Sequence, residues 1–174
     1  MRNTTKKPVY DFREKYEQQE NYFSNFIKCL SEFRYITNIN KSSMNEERKS
    51  IDLYFLYRGK WVTMEVKTDF KAAETGNLAY EIISQAYIRK NGVIGWGFKL
   101  EATDYLAYLV PKETTEIYIF QTEKIQEWVI GNYYMLRNFS AKNRDYTTLG
   151  VLIPITKIEN INDTVNFFRE GSDL

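Results

Sequence analysis

The sequence contains no histidine and only one cysteine among its 174 residues. Without histidine, the chain lacks the commonest general base and the usual ligand of catalytic zinc. A lone cysteine cannot form an internal disulfide, and Cys29 lies within an apolar helical pattern, so we expect a buried core residue and no redox chemistry. Any catalysis must therefore depend on carboxylates, lysine, hydroxyl groups or a bound hard cation.

Long apolar segments are also missing. No stretch reaches the roughly 18 apolar residues of a membrane span, and the amino-terminal MRNTTKKPVYDF has no apolar segment like that of a signal peptide. We expect a soluble, cytoplasmic protein that makes no contact with a membrane. Residues 1–174, of which 43% are hydrophobic, are expected to form a single domain, because domains commonly span roughly 100 to 200 residues.

Charge is nearly balanced overall but unevenly distributed. The net charge is +1; the first 99 positions carry 17 basic and 12 acidic residues, an excess of +5, and the remainder carries 7 and 11, an excess of −4. A basic half of this kind could face phosphate groups. A scattered, solvated surface explains the same numbers, so composition leaves both interpretations open.

Apolar spacing predicts alternating helices and strands. A long amphipathic helix is expected over about residues 12–34, followed by a hairpin of two strands, 51–57 and 61–68, around a turn at 58–60. The segment NLAYEIISQAYIRKNG, residues 77–92, is predicted to be a second helix. The chain is then expected to form two strands (YLAYLV and EIYIFQ), a helix (TEKIQEWVIGNYYML), a strand (GVLIPI) and a terminal helix (NDTVNFF).

An isolated acid, Asp52, stands among apolar and aromatic residues at the start of this hairpin. If Arg58 and Gly59 form a two-residue turn, the register places Asp52 directly opposite Glu65. Opposed residues have Cβ atoms about 4.5 to 5.5 Å apart, and two like charges there repel. A divalent cation would offset the repulsion, since Mg²⁺ binds through one or two carboxylates and leaves room for a phosphate. Lys67 shares the strand face of Glu65, because side chains alternate along a strand.

The pattern of Asp52 followed by Glu65-Val66-Lys67, with a predicted helix on each side, resembles the PD-(D/E)XK nuclease superfamily, which has the restriction-endonuclease-like fold. The resemblance implies an α/β (α+β) fold with a central mixed sheet flanked by helices. Its core would cover about residues 12–110, with a C-terminal elaboration over about 111–174. Isoleucine stands before Asp52 where the family pattern has proline, a position that varies widely in the family.

The same resemblance implies the members of an active site. Asp52 and Glu65 would bind Mg²⁺ together with the backbone carbonyl of Val66, and Mn²⁺ would substitute for Mg²⁺. Lys67 would assist the attacking water and stabilise the phosphate in the transition state. Many family members add a glutamate from the first helix; Glu20 is the best-matching position here and Glu17 is the alternative.

Three residues outside the motif have two interpretations each. Lys71 could contact a phosphate or be an ordinary solvated charge. Trp96, among the glycines of NGVIGWGF, could stack on a base or cap the core from a loop. Glu81, on the second predicted helix, could face the metal or pair with a basic residue of that helix.

These features predict a Mg²⁺-dependent nuclease that hydrolyses phosphodiester bonds in nucleic acid, and we expect a DNA endonuclease rather than an enzyme acting on RNA. Two alternatives stay open: an enzyme like the dimeric Holliday junction resolvases, which requires a homodimer, and a non-catalytic nucleic-acid or protein-binding domain that retains the fold. A family member that has lost its catalytic activity is expected to lack at least one of the three catalytic residues. This chain has all three: Asp52, Glu65 and Lys67. The segment EATDYLAYLV also resembles phage-borne members, which suggests a phage origin.

Overall fold

After one long helix, the chain is built mainly of strands. The computed structural model describes residues 12–43, 50–87, 90–99, 103–142, 146–158 and 161. The strands are β1 (Ile36–Lys41), β2 (Leu53–Tyr57), β3 (Lys60–Thr68), β4 (Asn77–Tyr87), β5 (Lys90–Ile94), β6 (Tyr105–Val110), β7 (Glu116–Gln121), β8 (Arg137–Lys142) and β9 (Thr147–Pro154). The helices are α1 (Phe12–Ser31), α2 (Phe70–Thr75) and α3 (Thr122–Asn132), with 3₁₀ turns at Trp96–Phe98, Tyr133–Met135 and Ile155–Lys157.

Two sheets organise these elements. Sheet A has the strand order β1-β2-β3-β6-β7 and is mixed: β3 and β6 run parallel, while the other neighbours are antiparallel. Sheet B has the order β5-β4-β9-β8 and is antiparallel throughout. The structure therefore has an α+β fold with a central mixed sheet, as the sequence predicts.

Sheet A separates two hydrophobic clusters. On one face, Phe26 and Leu30 of α1 belong to the same cluster as Ala107 and Leu109 of β6. On the other face, Leu106, Tyr108 and Val110 of β6 belong to a cluster with residues of sheet B and α3 (Leu78, Tyr80, Ile125, Val129, Val151 and Ile153). Alternation along β6 sends successive side chains into the two clusters, so this strand is buried on both faces.

The predicted hairpin between β2 and β3 is confirmed. Arg58 and Gly59 both have positive φ angles, 52° and 78°, as a two-residue type I′ turn requires. Tyr57 pairs with Lys60, and the ladder continues to Leu53 opposite Met64. This register sets which residues of β3 stand beside the start of β2.

The helix predicted over residues 77–92 is wrong, because the described residues of this segment, 77–87 and 90–92, lie in the strands β4 and β5. Leu78 and Tyr80, two positions apart, are both fully buried, which is the period of a strand. β4 pairs along its length with β9, which supplies hydrogen-bond partners for a segment rich in β-branched and aromatic residues. A second sheet thus covers part of the central sheet where the superfamily pattern implied a helix.

A short helix, α2, was not predicted from the sequence. Asp69 caps it: Oδ1 accepts a hydrogen bond from Ala72 N at 3.0 Å, and Oδ2 accepts one from Ala79 N at 2.9 Å. The helix ends at Gly76, whose φ is 66°. Asp69 therefore joins the end of β3 to both α2 and β4, which is a structural role rather than that of a solvated charge.

Most other predicted elements are confirmed. The first helix ends at Ser31, close to the expected boundary, and the segments predicted as YLAYLV, EIYIFQ, the third helix and GVLIPI form β6, β7, α3 and β9. The terminal helix expected in NDTVNFF lies outside the described residues.

Among the described helices, none has the length and apolarity needed to cross a membrane.

Two glycines provide a matched test of this packing. A β-carbon at Gly150 would overlap the carbonyl oxygen of Tyr80 and the ring of Phe139, whereas one at Gly131 in α3 would meet nothing within 4 Å. Gly150→Ala is expected to lower the free energy of unfolding by about 1 to 3 kcal/mol. Gly131→Ala is expected to raise it by up to about 1 kcal/mol, because alanine is the better helix former. Urea denaturation measures both, and equal effects would contradict the β4–β9 packing described here.

Candidate functional site

A cleft opens where the end of β3 meets the end of β1, the start of β2 and one face of α1. Its volume is about 410 Å³. Its lining residues are Tyr16, Gln19, Glu20, Phe23, Lys41, Ser42, Asp52, Val66, Lys67 and Thr68. The structure thus places four of the residues singled out from the sequence, Glu20, Asp52, Val66 and Lys67, around one cavity. Glu17, the alternative to Glu20, is not among the lining residues.

Asp52 lies one residue before β2 and leaves the regular register. Its N–H donates to the carbonyl of Met64 at 2.9 Å, although Met64 already pairs with Leu53. Two residues of one strand therefore contact a single residue of the other, as in a β-bulge. The Asp52 carboxylate accepts the N–H of Val66 at 2.7 Å through Oδ2. The direct opposition of Asp52 and Glu65 predicted by continuing the ladder is corrected accordingly: the bulge moves Asp52 toward Val66.

Glu65 is a buried carboxylate, only 3% exposed. Oε1 forms an ion pair with Nζ of Lys67, while Oε2 is buried and has no hydrogen-bond partner. Burial raises the pKa of Glu65 to about 7; Lys67 opposes this shift, and the nearby Asp52 carboxylate adds to it. A buried carboxylate oxygen without a partner is costly, so this atom has unused capacity to bind a donor or a cation.

Lys67 remains positively charged at neutral pH. Burial lowers the pKa of its ammonium group, but the charges of Glu65 and Asp52 outweigh burial, and the net shift is upward. The charge of Glu81 on β4 contributes in the same direction. Nζ also lies 5.3 Å from the ring centroid of Trp96, within the range of a cation–π interaction. The ammonium is thus held between an acid on its own strand and an aromatic ring from the segment after β5.

Glu20 projects from α1 and is about half exposed. Its Oε2 lies 3.5 Å from Nζ of Lys41, a cleft residue at the end of β1 that sequence reasoning missed. Nothing in the sequence singles out Lys41, since a lysine at the end of a strand is usually a solvated charge. The ammonium of Lys41 also lies 4.8 Å from the ring centroid of Phe23.

The acids of the site fit a hard divalent cation with few protein ligands. Among the described residues, no group of three or more His, Cys, Asp or Glu side chains is close enough together to hold a metal ion. Mg²⁺ commonly uses only one or two carboxylates and keeps several waters. The neighbouring carboxylates of Asp52 and Glu65, together with the unpartnered Oε2, satisfy that smaller requirement.

The two residues proposed as nucleic-acid contacts lie in different surroundings. Trp96 is partly buried, with its ring centroid 5.3 Å from that of Tyr80 and 5.9 Å from that of Tyr108, so it caps the core beside Lys67. Lys71 is exposed on α2 and forms an ion pair with Glu74 at 3.0 Å. Trp96 therefore contributes to the site through Lys67, and Lys71 lies on the surface.

Glu81 lies on β4 rather than on a helix. Its Oε1 accepts hydrogen bonds from the hydroxyl of Ser84 and from Trp96 N, the latter at 3.4 Å. Glu81 thus holds the backbone of Trp96, whose ring faces Lys67. Because the sequence predicts a helix for this segment, it does not predict the hydrogen bond between Glu81 and the backbone of Trp96.

No protein-family model matches the chain, and no curated protein sequence matches it. Among solved structures, the chain is similar to the bacterial homing endonuclease I-Ssp6803I, with a TM-score of 0.46 and 20% sequence identity over 66% of this chain and 73% of that chain. A likeness at this level does not determine what the site does.

The raised pKa of Glu65 predicts a specific pH dependence of stability. Between its ordinary value of 4.5 and about 7, the native state retains a proton that the unfolded state has released. Raising the pH through this window should therefore lower the free energy of unfolding, by about 3 kcal/mol in total if no metal is present. Glu65→Gln should remove this dependence, and Glu74→Gln, which neutralises an exposed acid, should retain it. Urea midpoints at several pH values in chelator provide the measurement; an unchanged slope in Glu65→Gln would contradict the assignment.

Proposed function

We propose that this protein is a Mg²⁺-dependent nuclease that hydrolyses phosphodiester bonds in nucleic acid, acting as a DNA endonuclease. One observation carries the proposal: Asp52 and Lys67 line an open cleft, and Glu65, which pairs with Lys67, is buried beside them with one carboxylate oxygen that has no partner. A cation and a phosphate would together satisfy this arrangement of charges. The PD-(D/E)XK pattern in the sequence supports the same reading.

Asp52 and Glu65 would hold the metal, with the Val66 carbonyl and Glu20 completing the set. The hydrogen bond from Val66 N to Asp52 keeps the Asp52 carboxylate oriented before any metal arrives, so little reorganisation is needed. Glu20 would have to turn from Lys41, with which it now pairs. When bound, Mg²⁺ supplies Lewis-acid polarisation of the phosphate and lowers the pKa of a bound water; Mn²⁺ would substitute for it.

Lys67 would stabilise negative charge that develops on the phosphate and orient the attacking water. Its ammonium is already fixed by Glu65 and by the face of Trp96, so its position is set before the substrate binds. Fixed charges directed at the place where charge develops are the largest single contribution in many enzymes. The absence of histidine is compatible with this chemistry, because a cation held by Asp52 and Glu65 would supply the activation that an imidazole base provides in other hydrolases.

Cleavage assays test the proposal directly. The full chain is incubated with single-stranded, duplex and branched DNA and with RNA, each in Mg²⁺, Mn²⁺ or chelator. Cleavage of DNA in either metal and its loss in chelator are expected. Cleavage that persists in chelator would exclude the metal-dependent mechanism, and binding of nucleic acid without cleavage in any metal would favour a non-catalytic domain.

Metal binding should be visible as stabilisation without any substrate. A ligand that binds only the native state stabilises it by RT ln(1 + [L]/Kd), about 2.7 kcal/mol at a hundredfold excess over Kd. Millimolar Mn²⁺ or Mg²⁺ should therefore raise the Tm of the wild type. Asp52→Asn should abolish most of the gain, whereas Glu74→Gln on α2 should keep it. A Tm of the wild type that does not change with metal would contradict metal binding by the free protein.

Lys67→Ala should show whether Lys67 acts in the reaction or only stabilises the fold. Removing one preorganised charge typically costs about 10² to 10³ in rate, so cleavage should fall by that factor while substrate binding in Ca²⁺ persists. Lys112→Ala removes an exposed lysine that is also paired with an acid, Glu116, and should cleave at the wild-type rate. Single-turnover cleavage and urea denaturation are measured on both variants. A Lys67→Ala protein that cuts normally would remove the lysine from the mechanism.

A further inference from the structure

The end of sheet A opposite to the cleft carries a surface of alternating basic and aromatic residues. The β1–β3 part of the sheet ends there at the start of β1, the end of β2 and the start of β3. We call this surface the basic ridge and define it as Arg34, Tyr35, Tyr57, Arg58, Lys60 and Trp61. Three of its six residues are cations and none is acidic. The three cations are exposed, and Trp61 is 59% exposed.

The two arginines of the basic ridge lie against its tyrosine rings. The guanidinium of Arg58 is 5.4 Å from the ring centroid of Tyr35 and 5.6 Å from that of Tyr57, and Arg34 lies 5.8 Å from Tyr35. The backbone N–H of Arg58 also donates to the carbonyl of Tyr35 at 3.0 Å, which ties the hairpin turn to the start of β1. Side chains from three separate strand ends are thus held together as one surface.

A wide cleft of about 990 Å³ adjoins the basic ridge and is lined by Tyr57, Arg58, Lys60 and Trp61 on the ridge side. Two acids, Asp104 and Glu123, also line it. Asp104 accepts hydrogen bonds from the N–H and hydroxyl of Thr63, at 2.8 and 2.9 Å. Glu123 lies in the first turn of α3, where the helix dipole favours an acid. Asp104 is thus engaged by Thr63, Glu123 lies at a helix start, and two of the three cations of the basic ridge, Arg58 and Lys60, lie at the hairpin tip.

We propose that the basic ridge binds the phosphate backbone of the DNA substrate on one side of the cleavage position. This inference rests on the proposed nuclease function and names a second contact that the cleft alone does not supply. Basic side chains that follow a backbone, interleaved with aromatic rings, are the usual composition of nucleic-acid binding surfaces. Sheet A connects the two contacts rigidly, because β2 and β3 run from the ridge to the cleft.

The length of these strands predicts how far the second contact lies from the cut. Tyr57 is five residues from Asp52 along β2, and Lys60 is seven residues from Lys67 along β3. At about 3.3 Å per residue these steps span roughly 17 to 23 Å. Duplex DNA rises about 3.4 Å per base pair, so the basic ridge would contact the backbone about five to seven base pairs from the scissile phosphate.

The turn allows the charge to be removed without damaging the fold. Arg58 has a positive φ at the first position of a type I′ turn, where asparagine followed by glycine is the preferred sequence. Arg58→Asn combined with Lys60→Gln therefore removes two cations and retains the hairpin. Lys142→Gln, on the edge strand β8 of sheet B, is the matched control. Urea denaturation confirms that each variant is folded.

Binding is measured in the Asp52→Asn background, which prevents cleavage, with a labelled duplex over a series of salt concentrations. Each lost phosphate contact should reduce the slope of log K against log salt by about 0.9, so the double variant should lose up to about 1.8. Lys142→Gln should keep the slope and the affinity. An unchanged slope in the double variant would overturn the inference.

Trp61 provides a local reporter of the same contact. DNA binding should quench its emission, and Trp61→Phe should remove most of the fluorescence change, because Trp96 and Trp128 are partly buried. A fluorescence change that is undiminished in Trp61→Phe would place the DNA away from the basic ridge, because the remaining signal would come from Trp96 beside Lys67 or from Trp128.

Substrate length tests the geometry. Shortening one flank below about five base pairs should slow cleavage by the wild type and have little effect on the double variant, since the contact at that distance is already lost. Cleavage of the short substrate at the full wild-type rate would overturn the inference while leaving the proposed nuclease function intact. If the wild type neither binds nor cuts any DNA, the proposed function itself fails.

Discussion

The burial of a carboxylate within the central sheet is the constraint on which the site depends. Glu65 lies on β3 beside β6, a strand buried on both faces, and at 3% exposure it has lost nearly all contact with water. An ionised carboxylate in such a place costs several kcal/mol unless a partner compensates for the lost hydration. Lys67 compensates one oxygen, and the other is left without a partner. Burial raises the pKa of the Glu65 carboxyl, and the proposed metal binding rests on the same unpartnered oxygen.

Neighbouring residues hold the Lys67 ammonium next to the buried Glu65 carboxylate. Trp96 covers the ammonium, and the ring of Trp96 is held by Tyr80 and Tyr108 from the two sheets. Glu81 accepts the backbone N–H of Trp96. Sheet B therefore acts on the site indirectly, because Tyr80 and Glu81 of β4 hold Trp96 against Lys67. A single central sheet flanked only by helices would need a different element for this purpose.

The β2–β3 hairpin connects the end of sheet A at the cleft with the end that carries the basic ridge. Its turn at Arg58-Gly59 sets the register as far as Leu53, and the bulge that follows brings the Asp52 carboxylate to the N–H of Val66. A slip of one residue would exchange the two faces of β3 and would move Glu65 and Lys67 together to the opposite face of the sheet. The bulge at Asp52 then directs the carboxylate toward the cleft between β3 and α1. Local turn geometry thus controls the position of an acid at the far end of the strand.

The sequence by itself determined the parts of this protein that depend on neighbours in the chain. Helix α1 follows from its apolar spacing, the β2–β3 register from a two-residue turn, and the pairing of Glu65 with Lys67 from alternation along one strand. Only the tertiary structure decided that residues 77–87 form a strand, because their backbone partners in β9 lie far along the chain. The same holds for the bulge at Asp52, which the N–H of Val66 stabilises, and for Trp96, whose place is set by rings from both sheets. A segment of ambiguous periodicity adopts the structure that satisfies its backbone and buries its apolar face, and both conditions are set by residues distant in sequence.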